Sequence, residues 1–177
     1  VTNSGTSAAA VFNFGIPQGA AGNSELFIPL AANFSSTVVT PVAVTGWTFP
    51  VVAGKTYKIE VIAAYQTVAT GTGGRLGFHL VGGGVGSIRG MIEGTVSQAP
   101  SGATVEGPVY AIGVINLAGS GVISTGVSLV NAPHSFLATA TFTCTTSGTF
   151  NVDWASEVGG SAAQLNAASS LIVTTLN

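Results

Sequence analysis

Tyr57-Lys58-Ile59-Glu60-Val61-Ile62-Ala63-Ala64-Tyr65-Gln66 is the stretch that decides the fold class. Tyr57, Ile59, Val61, Ala63 and Tyr65 alternate with Lys58, Glu60, Ile62, Ala64 and Gln66. A period of two gives one apolar face and one mixed face, the signature of a strand. Phe136, Ala138, Ala140, Phe142 and Cys144 repeat the pattern against Leu137, Thr139, Thr141, Thr143 and Thr145. Phe150, Val152 and Trp154 do so against Asn151, Asp153 and Ala155, and 171–176 reads as a final strand. Further strands are expected near 25–34, 37–44, 75–81, 88–96, 105–117 and 122–130.

Glycine clusters at 71–74, 82–86 and 119–121 punctuate these runs and are read as turns, since glycine admits positive φ without steric cost. No segment of helical length shows apolar residues at i, i+3, i+4 and i+7 between a cap and a stop. Residues 161–168, rich in Ala, Gln and Leu, are expected to form at most one helical turn. Nine or ten short strands at this spacing predict an all-β sandwich or barrel. Residues 1–23 differ in kind, with an uncharged Ser/Thr/Ala/Gly start, Pro17, and Gly19 and Gly22 three apart. That is collagen spacing, too short for a triple helix. The chain is therefore divided into an extended linker or arm (1–23) and one β domain (24–177).

Only 6 % of the 177 residues are charged, with a net charge of -2. Lys55, Lys58, Arg75 and Arg89 are too few and too scattered for phosphate recognition, which excludes nucleic acid as an expected partner. High hydrophobicity with low charge argues against disorder. The apolar runs are too short for a membrane-spanning helix, so no membrane insertion is expected. No signal peptide is read at the N-terminus. A single Cys144 permits no internal disulfide.

The chemistry-bearing residues are sparse. Gly54-Lys55-Thr56 lacks the earlier glycine of a phosphate loop and precedes a strand, and Leu76 replaces the third glycine of a dinucleotide fingerprint in 71–76. His79 and His134, the two imidazoles, read as hydrogen-bonded or surface residues. A metal held by histidine with Asp153 or Glu157 is the minor alternative, because no second ligand sits at metal-binding spacing. Cys144 shares an apolar face with Phe142 and reads as an inert buried thiol. Gly119-Ser120-Gly121 is not a nucleophile elbow. Asp153 and Glu157 are the one pair a glycosidase could use, and they read more simply as polar positions near a strand end. Trp47, Phe49 and Tyr110 are candidates for stacking on sugar rings, against the plainer reading of core or subunit interface. Asn33-Phe34-Ser35 matches a glycosylation sequon. The sequence thus assigns no catalytic, cofactor-binding or metal-ligating residue, and leaves receptor contacts unassigned.

Two stretches carry a family resemblance. Val1 to Gly19, ending Phe14-Gly15-Ile16-Pro17-Gln18-Gly19, resembles the linker before collagen-like repeats in tail fibres of tailed bacteriophages. Phe150 to Val158 and Ala168 to Leu176 resemble the last strands of a C-terminal fibre or head-decoration domain with a tumour-necrosis-factor-like jelly roll. Lys55 to Val61 and Arg75 to Phe78 are similar to its early core strands. In contrast to that family, the Gly-x-x tract stops after Gly22, where Asn23-Ser24-Glu25 leads into strand. The resemblance implies an antiparallel jelly roll in a non-enzymatic virion protein on the particle surface. Such a protein is a homotrimeric tail-fibre or tail-tip head that attaches to a host-surface glycan or protein, its arm holding other virion proteins. The alternative is a capsid decoration protein cementing the phage head, and an all-β glycosidase is a remote third. No cofactor is implied. Ile62 with Ala64, and Leu137 with its threonine row, are apolar enough on their second faces to suit a subunit contact. Packing of both faces inside a larger sandwich is the competing account.

Overall fold

The computed structural model describes residues 2–6, 9, 12–13, 24–82, 84–96, 107–111, 120–122, 126–127 and 129–176. Among them are fourteen strands and no helix: β1 (Thr2–Asn3), β2 (Phe12–Asn13), β3 (Ser24–Pro29), β4 (Phe34–Ser36), β5 (Val42–Val51), β6 (Thr56–Thr67), β7 (Gly74–Val81), β8 (Gly84–Val96), β9 (Gly107–Ala111), β10 (Ser120–Val122), β11 (His134–Thr146), β12 (Gly148–Ser156), β13 (Ala163–Leu165) and β14 (Ser170–Leu176). No helix among the described residues is long and apolar enough to cross a membrane.

The pairing order identifies the architecture. Take β3, β5, β6, β7, β10, β11, β12 and β14 as eight strands in sequence. The first then pairs with the last (β3 with β14), the second with the seventh (β5 with β12), the third with the sixth (β6 with β11) and the fourth with the fifth (β7 with β10), all antiparallel. A long hairpin rolled up in this way is a jelly roll. Its two sheets run β3-β14-β6-β11 and β5-β12-β7-β10, called here the first and second sheet. The hairpin β8–β9 continues the first sheet beyond β11, and β13 and β4 join it at the far end of β6. The all-β jelly-roll sandwich expected from alternation and resemblance is the fold observed.

The core lies where the alternating apolar faces meet. Tyr57, Ile59, Val61, Ala63 and Tyr65 of β6 and Phe136, Ala138, Ala140 and Phe142 of β11 are buried against Phe78, Phe150, Val152 and Trp154. Aromatic rings bridge the sheets: Phe142 lies on Phe150 (centroids 4.6 Å apart, 11° between planes) and Phe136 on Trp154 (5.9 Å, 9°). Each such pair contributes about 0.5–1.5 kcal/mol beyond its buried area.

Several local expectations are corrected. The strand expected over 25–34 is broken at 30–33 into β3 and β4. That expected over 37–44 is a loop to Pro41, and the strand that follows, β5, carries four buried side chains, Val44, Trp47, Phe49 and Val51. Gly46 holds φ +89° in β5, and the register against β12 jumps there, with Thr48 facing Asn151 but Ala43 facing Asp153. The extra residues form a bulge, which hides the alternation. The turn expected at 119–121 is instead largely strand, since Ser120–Val122 is β10. Of the strand expected over 122–130, Val122 belongs to β10, and the described residues 126–127 and 129–130 are not strand, with Val127 buried. Residues 123–125 and 128 lie outside the described residues. The helical turn expected over 161–168 is β13 followed by a bulge. Ala163 and Leu165 are buried and Gln164 is not, a period of two that pairs with β6. The turn expected at 82–86 is shorter, because Gly84 already opens β8.

Within 1–23, β1 and β2 form a small antiparallel pair, with Thr6 and Ala9 bridging between them. Pro17, Gly19 and Gly22 lie outside the described residues.

Candidate functional site

The second sheet brings His79 and Asp153 together across the chain. They occupy outward positions of β7 and β12, two residues apart in register, since His79 faces Asn151 and Asp153 faces Gly77. His79 Nδ1 lies 2.6 Å from Asp153 Oδ2 and 2.8 Å from Oδ1, so the imidazole N–H donates to the carboxylate. The Asp153 side chain is 9 % exposed and that of His79 37 %. Burial is the largest influence on the acid and raises its pKa above 3.8, while the hydrogen bond and charge of His79 oppose the rise. The cover over Asp153 includes the loop before β5. A Cβ at Gly77 would meet both Pro41 Cβ and Asp153 Cβ at 3.3 Å. From Val152 to Ser156 every residue is buried, although alternate ones point away from the core. Asp153 therefore spends its carboxylate inside the chain, while Glu157 lies beyond the strand end, its N–H donated to Gly73.

The remaining sequence candidates resolve into structural roles. Trp47 and Phe49 are buried in the core, which removes them as sugar-stacking surfaces. The side chain of Tyr110 lies outside what the structure describes. His134 is buried, with Nε2 donating to the Leu129 carbonyl at 3.2 Å. Cys144 is buried and its thiol donates to Thr146 O. Gly54 and Lys55 form the turn into β6. The sequon Asn33 accepts the Ala167 N–H through Oδ1 at 2.7 Å. Among the described residues no cluster of three His, Cys, Asp or Glu could hold a metal.

The outer face of the first sheet is different. Register lays three rows across it: Glu25, Thr174, Lys58, Thr141; then Phe27, Ile172, Glu60, Thr139; then Pro29, Ser170, Ile62, Leu137. Phe27 is 60 % exposed, Ile62 50 % and Leu137 36 %. Ile62 and Leu137 are direct partners, so the two positions singled out in the sequence form one apolar patch with Ile172 and Phe27 beside it. Lys58 and Glu60 pair at 3.1 Å at its margin.

A cleft of about 270 Å³ adjoins this patch, lined by Ile62, Ala64, Ser135, Ala167 and Ala168 among others. Its origin is a register slip. β13 and β14 both run antiparallel to β6, but Leu165 faces Tyr65 and Ser170 faces Ile62. The lane therefore holds two residues more than β6 between those points, and 166–169 bulges outward. Hydrogen bonds fix the bulge on every side: Asn166 N–H to Ala64 O, Ala168 N–H to Leu30 O, Ala64 N–H to Ser169 Oγ, and Ser169 Oγ to Asn166 O. Ala168 sits at φ +69°, a left-handed conformation that a non-glycine residue adopts only under constraint.

The loops at the end of the sandwich near Trp154 and Tyr65 form a second apolar surface. Backbone bonds tie 37–38 to 156–160, 73 to 157, 68 to 162, and 67–70 to 127–131. On these loops Val38, Val39, Val158, Val68, Leu129 and Val130 are exposed.

No family model matches the chain, and no curated protein does. Among solved structures it is similar to the infectious bursal disease virus VP2 subviral particle, at 9 % identity and a TM-score of 0.28, over 93 % of this chain and 44 % of that one. The structure of the Gx strain of the same virus matches at 12 % identity and a TM-score of 0.27, over 93 % of this chain and 41 % of that one. The chain spans less than half the length of these solved chains.

Proposed function

We propose that this chain is a non-enzymatic virion structural protein, the trimeric head of a tailed-phage fibre or tail tip that attaches the particle to its host surface. The observation that carries the reading is the outer face of the first sheet, an ordered face of a jelly roll with Phe27, Ile62 and Leu137 bare to solvent. Six strands spaced about 4.8 Å, over roughly seven residues each, give a projected face of about 650 Å². Stable interfaces remove about 800 Å² of accessible surface per partner, and accessible area exceeds projected area, so the face is large enough. Low overall charge suits a surface buried in an assembly. The residue resemblance of the two chain ends supplies the virion setting.

In this reading three copies associate through the first sheet, and the N-terminal segment joins other virion proteins. The exposed valines and Leu129 of the loop end contact host glycan or protein. Three weak sites on one rigid head gain avidity over a single site. Light scattering after gel filtration tests the assembly, with a mass of three chains expected at all working concentrations and a persistent monomer overturning it. Labelled protein is then presented to host cells and to assembled phage heads. Binding to cells supports attachment, whereas binding to heads alone favours the capsid decoration role.

A further inference from the structure

Phe27 and the cleft beside Ala64 lie on one face and do not meet within the chain. Phe27 is level with Ile172 and Glu60, two strands and about three residues from the cleft, roughly 14 Å away. A phenyl side chain cannot span that distance. We infer that Phe27 of one copy inserts into the Ile62/Ala64/Ala167/Ala168 cleft of the next, as the knob-and-hole contact that holds the assembly together. This rests on the reading that the first sheet's outer face joins copies of this chain, and it names the residues that do so.

Size, chemistry and charge select a second copy as the occupant. A cavity of about 150 Å³ lined by aliphatic side chains holds benzene, so a cleft of about 270 Å³ accommodates a phenyl ring. Its lining is mostly apolar, four alanines with Ile62 and Phe136, beside Ser135 and Ser169. Among the described residues Phe27 is the one aromatic in the set of exposed large apolar side chains. The rows around it hold Glu25, Lys58 and Glu60, of which Lys58 and Glu60 pair with each other. Those positions nearly balance in charge and intermix both signs. A copy of the same face finds complements there, whereas a strongly acidic or basic partner does not.

The hole is also built in advance. Asn33 holds Ala167, and Leu30 holds Ala168 in its constrained conformation, so the wall is in place before a ring enters and little ordering opposes binding. Knob and hole are separate parts of one face, so each contact uses different residues on its two copies, and contacts propagate from copy to copy until a ring closes.

The test uses the full chain with three variants, Phe27→Asp, Ala64→Trp and Ser135→Phe. Phe27→Asp removes the knob at an exposed position. Ala64→Trp and Ser135→Phe fill the hole from two different strands, so one misfolded variant leaves the other to decide. Circular dichroism confirms that each is folded. Each change is expected to weaken association by tenfold to a hundredfold per contact, the range for exposing one buried phenyl group, and to yield monomers at concentrations where the parent protein is trimeric. Mixing Phe27→Asp with Ala64→Trp, or with Ser135→Phe if Ala64→Trp misfolds, joins the one intact knob to the one intact hole. A two-chain species appears only in the mixture. A parent trimer that persists in the folded Phe27→Asp variant overturns this inference and leaves the trimer standing, as does a mixture that stays monomeric. A parent protein that is monomeric throughout overturns both.

Discussion

The two outer faces of the sandwich have opposite fates. On the second sheet an acid that is costly to bury is satisfied within the chain by His79, although Val81 on the same strand as His79 stays exposed and the Arg75 Nε is buried without a partner. On the first sheet Phe27, Ile62 and Leu137 are left in water beside a preformed cleft. A buried carboxylate unpartnered would be far more costly than exposed apolar area, so folding must settle the first within the molecule and can leave the second to assembly. In the proposed assembly the second sheet's face is structural and the first sheet's meets a neighbouring copy.

The largest effect is expected where the two faces share a support. Trp154 belongs to the second sheet, stacks on Phe136 of the first, and donates its indole N–H to Ala163 O at 3.0 Å. Trp154→Ala removes this bridge and the anchor of β13, next to the cleft wall. It is expected to destabilise the fold by about 3–5 kcal/mol, read from the urea midpoint, and to abolish association as well. A variant that loses association with its midpoint intact would separate the cleft from the core and refute the shared support.

A charge placed on each face in turn sharpens the contrast. Leu137→Lys on the first sheet is expected to leave monomer stability within about 0.5 kcal/mol, as surface substitutions do, while weakening association at least tenfold. Thr48→Lys occupies an exposed outward position on the second sheet, in the row of Asn151 and His79, and is expected to change neither. Equal loss from both would mean that the faces do not differ in role, with light scattering across a dilution series as the measurement.

How far the sequence could show this difference depends on whether the cause is local. β6 and β11 were legible because each differs so strongly between its two faces, and the pairing of Ile62 with Leu137 then followed from their register. β5 was not, since the bulge at Gly46 and Pro50 at its far end interrupt an alternation that Trp47, Phe49 and Val51 otherwise display. The Asp153–His79 contact joins residues 74 apart, and no local pattern encodes a register between distant strands. The cleft was hidden more deeply. It exists because two surplus residues separate β13 from β14 relative to β6, and the Ala-rich segment that makes the bulge reads locally as helix-forming.

The closed face carries a pH signature of its own. Asp153 holds its proton to a higher pH in the folded chain than its ordinary 3.8, because burial outweighs His79. The folded state thus binds more protons than the unfolded one through the window above pH 3.8, and stability falls as pH rises across it. Below that window both states are protonated and this contribution is fully present. Asp153→Asn keeps an oxygen to accept the His79 N–H but cannot ionise. The variant is expected to lack that decline, so its midpoint gains on the parent as pH rises from 3.5 and then levels off. A difference running the other way would mean that His79 outweighs burial.

The smallest effect belongs to the pair at the margin of the open face. Lys58 and Glu60 meet at 3.1 Å with side chains 40 % and 30 % exposed, so in a lone chain the contact contributes about 0–1 kcal/mol and fades as salt screens it. Lys58→Ala in a Leu137→Lys background, where copies do not associate, is expected to cost under about 0.5 kcal/mol and nothing measurable in 0.5 M salt. In the associated protein the pair is shielded from water, and removing one partner leaves the other charge desolvated. There the same substitution should cost more, and the cost should persist in salt. If the two backgrounds respond alike, Lys58 lies outside the buried area, and the contact is centred on the Phe27 and Ile62 rows instead of spanning the sheet.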